Sequence, residues 1–320
     1  MTRKKNIALF LLLLCQLLII GYVYRPGREK GPATVIFFKD LSPEQVVRLT
    51  IADDEANSIV LARDGQNWVI ASQDDLPADT AKTETLVKKL VGLQSNRVVT
   101  QTKESHARLK VGDNFVRKIT LEMQDGKTRN LILGTAPSYQ TVHVRLDNDN
   151  TVYLVKNLSS WEVTTEPSSW WKSAYVDVAQ DQLVKLSLAN RNGQFTLTKD
   201  GETGKWLLAD GDGGVVVDQD KAQDFVDQVS RITVSEYLGK GEHPEYGLEK
   251  PAAQLTIATK DQTIRLRVGA AQNKKADFLV LKSSASPFYA KAGKYVVAPL
   301  LERKPEDLLA AGKQKGDKNS

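Results

Sequence analysis

His106, His143 and His243 are the only imidazoles this chain can bring to acid–base or metal chemistry. A helical zinc site needs its histidines one turn apart, and structural sites usually add cysteine thiolates. No pair of these histidines has that spacing, and the single cysteine, Cys15, lies in an N-terminal apolar run. His143 falls on an expected strand, His106 in a loop and His243 directly before Pro244, so packing or surface roles are expected for all three.

Two acidic runs imitate the opening of a calcium loop: Asp147-Asn148-Asp149-Asn150-Thr151 and Asp210-Gly211-Asp212-Gly213-Gly214. Such a loop closes with a bidentate acid at its twelfth position, where the count reaches Leu158 and Lys221. Both runs sit between expected strands, where Asp, Asn and Gly satisfy turn dihedrals. They read as turns. No Gly-x-Ser-x-Gly elbow occurs, and Gly239-Lys240-Gly241 lacks the upstream glycine and following Ser or Thr of a phosphate loop. Asp53-Asp54-Glu55 and Asp74-Asp75 read as solvated turns rather than a paired acid and base. No catalytic, cofactor-binding or metal residue is assigned, no cofactor is expected, and the chain is read as a non-enzyme.

The elements around these residues are written twice. Val46-Val47-Arg48-Leu49-Thr50-Ile51, Ile59-Val60-Leu61, Asp64-Gly65 and Trp68-Val69-Ile70 match Leu183-Val184-Lys185-Leu186-Ser187-Leu188, Phe195-Thr196-Leu197, Asp200-Gly201 and Trp206-Leu207-Leu208. Leu86-Val87-Lys88-Lys89-Leu90 matches Phe225-Val226-Asp227-Gln228-Val229, and Leu131-Ile132-Leu133-Gly134 matches Leu266-Arg267-Val268-Gly269. The offset is 138 at the tryptophans and 135 at the glycines. That period far exceeds the roughly 20–50 residues of solenoid repeats, so the copies are tandem domains.

Val47, Leu49 and Ile51 alternate with Arg48 and Thr50, the period of a half-buried strand. Asp64-Gly65 turns the chain into the tryptophan strand, and Asp79 or Thr80 caps a helix buried through Leu86, Leu90 and Leu93. Hairpins around Asp125-Gly126-Lys127 and Asp147–Asn150 follow. The second copy repeats this order: Asp218 caps the helix, and Leu255–Ile257, Ile264–Val268, Phe278–Leu281 and Tyr295–Val297 supply later strands. Hairpins with one long helix per unit imply an α+β class built on antiparallel sheet.

The net charge of +5 over 320 residues belongs to the ends. Residues 1–30 carry +5 and residues 312–320 carry +2, leaving the body at −2. Phosphate-backbone binding needs clustered Lys and Arg, so nucleic acid is rejected as a partner. From Ile7 to Tyr24 the chain runs 18 residues without a charge, close to the length that spans a ~30 Å hydrocarbon core. Arg3, Lys4 and Lys5 precede it, and Tyr22 and Tyr24 stand at an interface position. A cleaved signal would favour small residues where Gly21-Tyr22-Val23-Tyr24 stands, and a lipoprotein signal a small residue where Leu14 precedes Cys15. The expectation is an uncleaved anchor with a cytoplasmic stub and the body outside.

The expected organisation is therefore stub, transmembrane anchor (about 7–24) and start of a linker over 1–30, a first repeat unit over 31–160, a connecting segment over 161–181, a second unit over 182–309 and a disordered tail over 310–320. Trp161, Trp170 and Trp171 cluster in the connection. Burial of the joint between units is expected of them, against an exposed contact for a partner or glycan.

The strand–Trp hairpin, the helix entry at Pro77-Ala78-Asp79, and His243-Pro244-Glu245-Tyr246-Gly247-Leu248-Glu249-Lys250-Pro251 before the Leu266–Gly269 stretch resemble the bacterial domain-of-unknown-function family 4340. In the first copy His106-Ala107-Arg108-Leu109 is a degraded match to the Tyr-Gly-Leu element. The resemblance covers about Leu41 to Leu309. It implies a membrane-anchored companion of ABC-type transport systems, including those grouped with gliding-motility transporters, and hence an ABC permease and ATPase, or their membrane companion, as partners. The expected function is a non-catalytic extracytoplasmic auxiliary subunit at the bacterial inner membrane. The alternative is an envelope glycan- or lipid-binding protein using a groove between the two units.

Overall fold

The computed structural model describes residues 2–23, 33–210, 213–271 and 276–309. Helix α1 (Thr2–Val23) opens the chain. The first copy then supplies β1 (Val35–Ile36), β2 (Val46–Ala52), β3 (Ser58–Asp64), β4 (Asn67–Ile70), β5 (Leu76–Pro77), α2 (Thr80–Val91), β6 (Gln94–Ser95) and β7 (Val98–Thr100). It ends with the one-turn α3 (His106–Leu109), β8 (Arg117–Met123), β9 (Thr128–Leu133), β10 (Thr141–Leu146) and β11 (Val152–Lys156).

The second copy supplies β12 (Ala174–Asp177), β13 (Leu183–Asn190), β14 (Gly193–Lys199), β15 (Trp206–Asp210), β16 (Gly213–Val216), α4 (Gln219–Ser230), β17 (Arg231–Thr233) and β18 (Glu236–Tyr237). It ends with β19 (Ala253–Thr259), β20 (Thr263–Val268), β21 (Phe278–Ser283), β22 (Tyr289–Gly293) and α5 (Lys294–Glu302).

Two nine-stranded sheets result, with orders β5-β4-β3-β2-β8-β9-β10-β11-β7 and β16-β15-β14-β13-β19-β20-β21-β22-β18. Place for place the two orders are the same. Two small sheets, β1-β6 and β12-β17, repeat as well. The fold is α+β with two antiparallel repeats, as the duplicated pattern implies. By contact density the chain divides into one unit of Met1–Val60 with Glu84–Thr165 and another of Leu61–Thr83 with Glu166–Ser320. The tryptophan strand of the first sequence copy thus packs as part of the second unit.

Each copy locks its tryptophan strand to a helix start by the same device. The Trp68 N–H donates to Thr80 Oγ1 at 3.0 Å, and the Trp206 N–H to Gln219 Oε1 at 2.8 Å. Thr80 and Gln219 are the first residues of α2 and α4. Across the hairpin, Arg63 pairs with Trp68 and Lys199 with Trp206. Each cation lies over its indole, at 4.9 and 5.7 Å from the ring centroid, within cation–π range. Asp218 caps α4 by accepting from the N–H groups of Asp220 and Lys221. Asp79 caps α2 by accepting from the Lys82 N–H at 3.0 Å.

In the second unit Trp206, Phe225, Val226 and Val229 join the inward faces of β13, β19 and β20 in one core. Two sequence expectations fail here. Tyr295–Val297 is helical, within α5, and the strand lies earlier at Tyr289–Gly293. Tyr-Val-Val favours strand, but Val297 and Leu300 stand one turn apart and bury into that core, so tertiary packing overrides local preference. The burial expected of the connecting tryptophans holds for Trp170, which is fully buried, and fails for Trp161, which is exposed.

Helix α1 exposes apolar side chains from Ile7 to Tyr22. Among the described residues no helix is long and apolar enough to cross a membrane. Tyr24, the end of the expected span, lies outside them, as do the side chains at 8, 9 and 11, residues 25–32 with most of the expected linker, and the tail from 310.

Trp206 is 3% exposed within the core of the second unit. Truncation to Ala should cost roughly 3–5 kcal/mol through lost burial and the cavity left behind. Denaturant unfolding of the full chain would measure it; a loss under about 1 kcal/mol would contradict the packing role.

Candidate functional site

The residues singled out for chemistry are mostly held by structural bonds. His106 is buried on α3, its Nε2 2.9 Å from the Asn150 carbonyl oxygen. His143 faces Thr135, Nδ1 to Oγ1 at 2.9 Å. Burial pushes its imidazole below the ordinary value, and the charges of Arg108 and Arg97 add to that against a hydrogen bond to Thr135. His243 is exposed, 3.7 Å from Glu245 Oε1, with its ring edge-on to Tyr246. The three histidines are not brought together, and among the described residues no group of three potential metal ligands exists.

The Asp147–Asn150 run is a turn closed around a guanidinium. Arg145 Nη1 donates to the carbonyls of Leu146, Asp147 and Asp149 at 2.9–3.1 Å, and Nε to Val111 O at 2.6 Å. The carboxylates are engaged too: Asp147 accepts from Asn130 and Asp149 from the Thr151 N–H. A buried cation stands where a calcium ion would need the oxygens. The Asp210–Gly214 run falls partly outside the described residues. Asp53 anchors its turn through Asn57 and also takes a hydrogen bond from Thr165; these bonds outweigh the effect of burial and lower its carboxyl. Asp74 and Asp75 both adopt left-handed backbone, at φ 53° and 60°, a conformation Asp tolerates in turns.

The Tyr-Gly-Leu element is a docking turn. Gly247 is left-handed at φ 64°, and a Cβ on Gly269 would collide with the Tyr246 carbonyl. The first copy makes the same contact without the motif. Lys110 takes the left-handed place at φ 53°, and a Cβ on Gly134 would collide with the Leu109 carbonyl. Val111 and Leu248 bury alike behind the turn. The sequence match is degraded while the geometry persists, because a left-handed lysine costs only about 1 kcal/mol.

What sequence reading missed is a polar groove on the outer face of the second sheet. It measures about 610 Å3 and is lined by Gln254, Thr256, Arg265, Arg267, Lys282 and the Ser283–Pro287 turn. Arg267 and Lys282 are direct cross-strand partners. The signal lay in the alternation of Arg265 and Arg267 with Ile264, Leu266 and Val268. A second groove of about 530 Å3, within the second unit, is lined by residues including Trp68, Lys172, Tyr175, Asp177, Arg231 and Tyr237. Trp68 Nε1 is buried without a hydrogen-bond partner among the described residues. Burial pushes the Tyr175 and Tyr237 hydroxyls up; they donate to the Phe288 and Lys172 carbonyls at 2.6 and 2.7 Å.

Two antiparallel α+β repeats, with these candidate residues engaged in turns and caps, define the class of fold. The chain belongs to the family described as domain of unknown function (DUF4340), whose model matches residues 68–251, more than half of its length. The match opens on Trp68 and closes on Pro251, after the Tyr246-Gly247-Leu248 turn. No curated protein and no solved structure matches the chain.

Gly269→Ala should destabilise the second unit by more than about 2 kcal/mol, because backbone must move to admit the methyl. Gly201→Ala, with open space around its Cβ, should change stability by less than about 0.5 kcal/mol. Equal effects in denaturant melts would contradict the docking turn. For His143 the folded pKa lies below the unfolded value of about 6.5. On acidification the unfolded chain takes up the proton first, so stability is present above pH 6.5 and falls below it. His143→Gln should flatten this slope between about pH 7 and 5; an unchanged slope would locate the dependence elsewhere.

Proposed function

We propose that the protein is a non-catalytic, membrane-anchored extracytoplasmic auxiliary subunit of an ABC-type transport system, single-pass in the bacterial inner membrane. The observation that carries the anchoring is α1, whose side chains Phe10, Leu13, Leu17 and Ile20 stand exposed. A helix with apolar side chains turned outward needs a lipid or protein surface to cover them. The basic stub at Arg3–Lys5 favours a cytoplasmic N-terminus. The engagement of His106, Arg145, Asp53 and Asp79 in structural bonds supports a docking rather than a catalytic role. The transport partner rests on the family resemblance.

The alternative, an envelope glycan- or lipid-binding protein, has one observation in its favour: the buried, unpartnered Trp68 Nε1 beside the 530 Å3 groove. Capture of the full chain from detergent-solubilised membranes tests the first reading. A permease and an ATPase should co-purify, and an alkaline-phosphatase fusion after Leu309 should be active. A chain recovered alone with bound sugar or lipid would favour the alternative, and an active cytoplasmic reporter at that position would end the topology.

A further inference from the structure

We infer that the outer face of the second sheet is a binding site for a phosphate-bearing ligand, with Arg267, Lys282 and Arg265 as its cations. The starting observation is a pairing that a sheet ordinarily avoids. Arg267 on β20 lies directly opposite Lys282 on β21, and directly opposed like charges destabilise a sheet. Both side chains are half-buried, so water screens them incompletely. Among the described residues none of the three cations forms an ion pair. The carboxylate of Glu242 acts on Lys282 and on Tyr289 alike, and on Lys282 burial and the charge of Arg267 outweigh it.

The first copy shows the same position with an apolar partner. At the same register Arg145 on β10 faces Ile132 on β9. Ile132 buries with Leu109, Val111 and Val152, and Phe115 packs against them. The equivalence is close: Arg145 donates to the carbonyl of Asp149 and Lys282 to that of Ser286, each four residues on. The turn-closing cation is therefore kept in both copies. Both copies have a groove here, of about 970 Å3 over Ile132 and Arg145 and about 610 Å3 over Arg267 and Lys282; what differs is that the second copy replaces the apolar partner by Arg267.

The groove's chemistry is that of an oxyanion with several oxygens. Arg267 spends one N–H on Leu248 O at 3.3 Å, leaving most of a planar fork suited to phosphate. Lys282 retains two of its three donors beyond Ser286. Ser284 Oγ accepts from the Arg265 N–H at 2.9 Å, so its own proton remains to donate. Two opposed cations with an adjoining hydroxyl match a phosphate better than a lone carboxylate, which offers two oxygens. The source is either a soluble phosphate ester or a phospholipid headgroup.

Calorimetric titration of the full chain in detergent with inorganic phosphate tests the site. One saturable event is expected. Arg267→Ile, which installs the residue of the first copy, and Lys282→Gln should each weaken it by about tenfold or more. Arg265→Gln should weaken it less, and Arg48→Gln on the first sheet should leave it unchanged. Circular dichroism melts show whether each variant is folded; if Arg267→Ile does not fold, Lys282→Gln and Arg265→Gln decide. Competition by phosphatidylglycerol vesicles, but not phosphatidylcholine vesicles, would assign the headgroup, and phosphate binding without vesicle competition a soluble ester. Absence of saturable binding, or binding indifferent to both Arg267→Ile and Lys282→Gln, overturns the site. Neither outcome bears on co-purification with a transporter, so the two readings fail separately.

Discussion

Everything in each copy depends on one non-local pairing. In the first copy β2 must find β8, and in the second β13 must find β19, after the chain has left to build a hairpin, a helix and two short strands. The registers set Leu49 against Leu121 and Ile51 against Ile119, then Leu186 against Ile257 and Leu188 against Leu255. All eight side chains are at most 1% exposed. A slip of one residue would turn each of them to solvent, so the apolar alternation fixes where the sheet closes. Until it closes, each half is a meander with an open edge, and its closure entropy is met only by the contacts that closure itself creates.

Two smaller devices keep the closed sheet in shape. One is the glycine at the end of β9 and β20, where the docking turn comes so close that a methyl would strike a carbonyl. The other is the cation that draws in the carbonyls of the next hairpin, Arg145 in one copy and Lys282 in the other. Both act on backbone groups. Side-chain identity around them is free to drift, which is why Leu109-Lys110-Val111 and Tyr246-Gly247-Leu248 differ in letters and agree in position.

This explains which parts were legible in the sequence. The strands at Val46–Ile51 and Leu183–Leu188 announce themselves because one face is buried and the other is not. The helix starts at Asp79 and Asp218 are legible because caps need specific oxygens near orphan N–H groups. The Trp68–Arg63 and Trp206–Lys199 pairs were hidden, since cross-strand partners depend on register. Tyr295–Val297 misled because β-branched residues were set against a helix that only the core of the second unit justifies. Asp and Asn at 147–150 announce a turn, but the reason for it, a guanidinium among the carbonyls, lies 34 residues from one of its acceptors, Val111. The outer-face groove was invisible because no motif marks it; it emerges only when β20 is laid beside β21 and the copies are compared.

Duplication makes that comparison informative. Residues that close a fold are bound to recur in both copies, and here they do: the tryptophans, their cations, the glycines and the turn-closing Arg145 and Lys282. A residue at an equivalent position that differs in chemistry is released from that duty. Ile132 and Arg267 occupy one register position opposite one structural cation. The isoleucine is the choice that stabilises the sheet, because it buries apolar surface and sets no charge against its partner. An arginine there forfeits the burial and adds repulsion, a cost of the kind that proteins tolerate at binding sites rather than in scaffolds. The first copy is therefore the internal reference for the second, and their difference at this position is a functional signal that either copy alone would conceal.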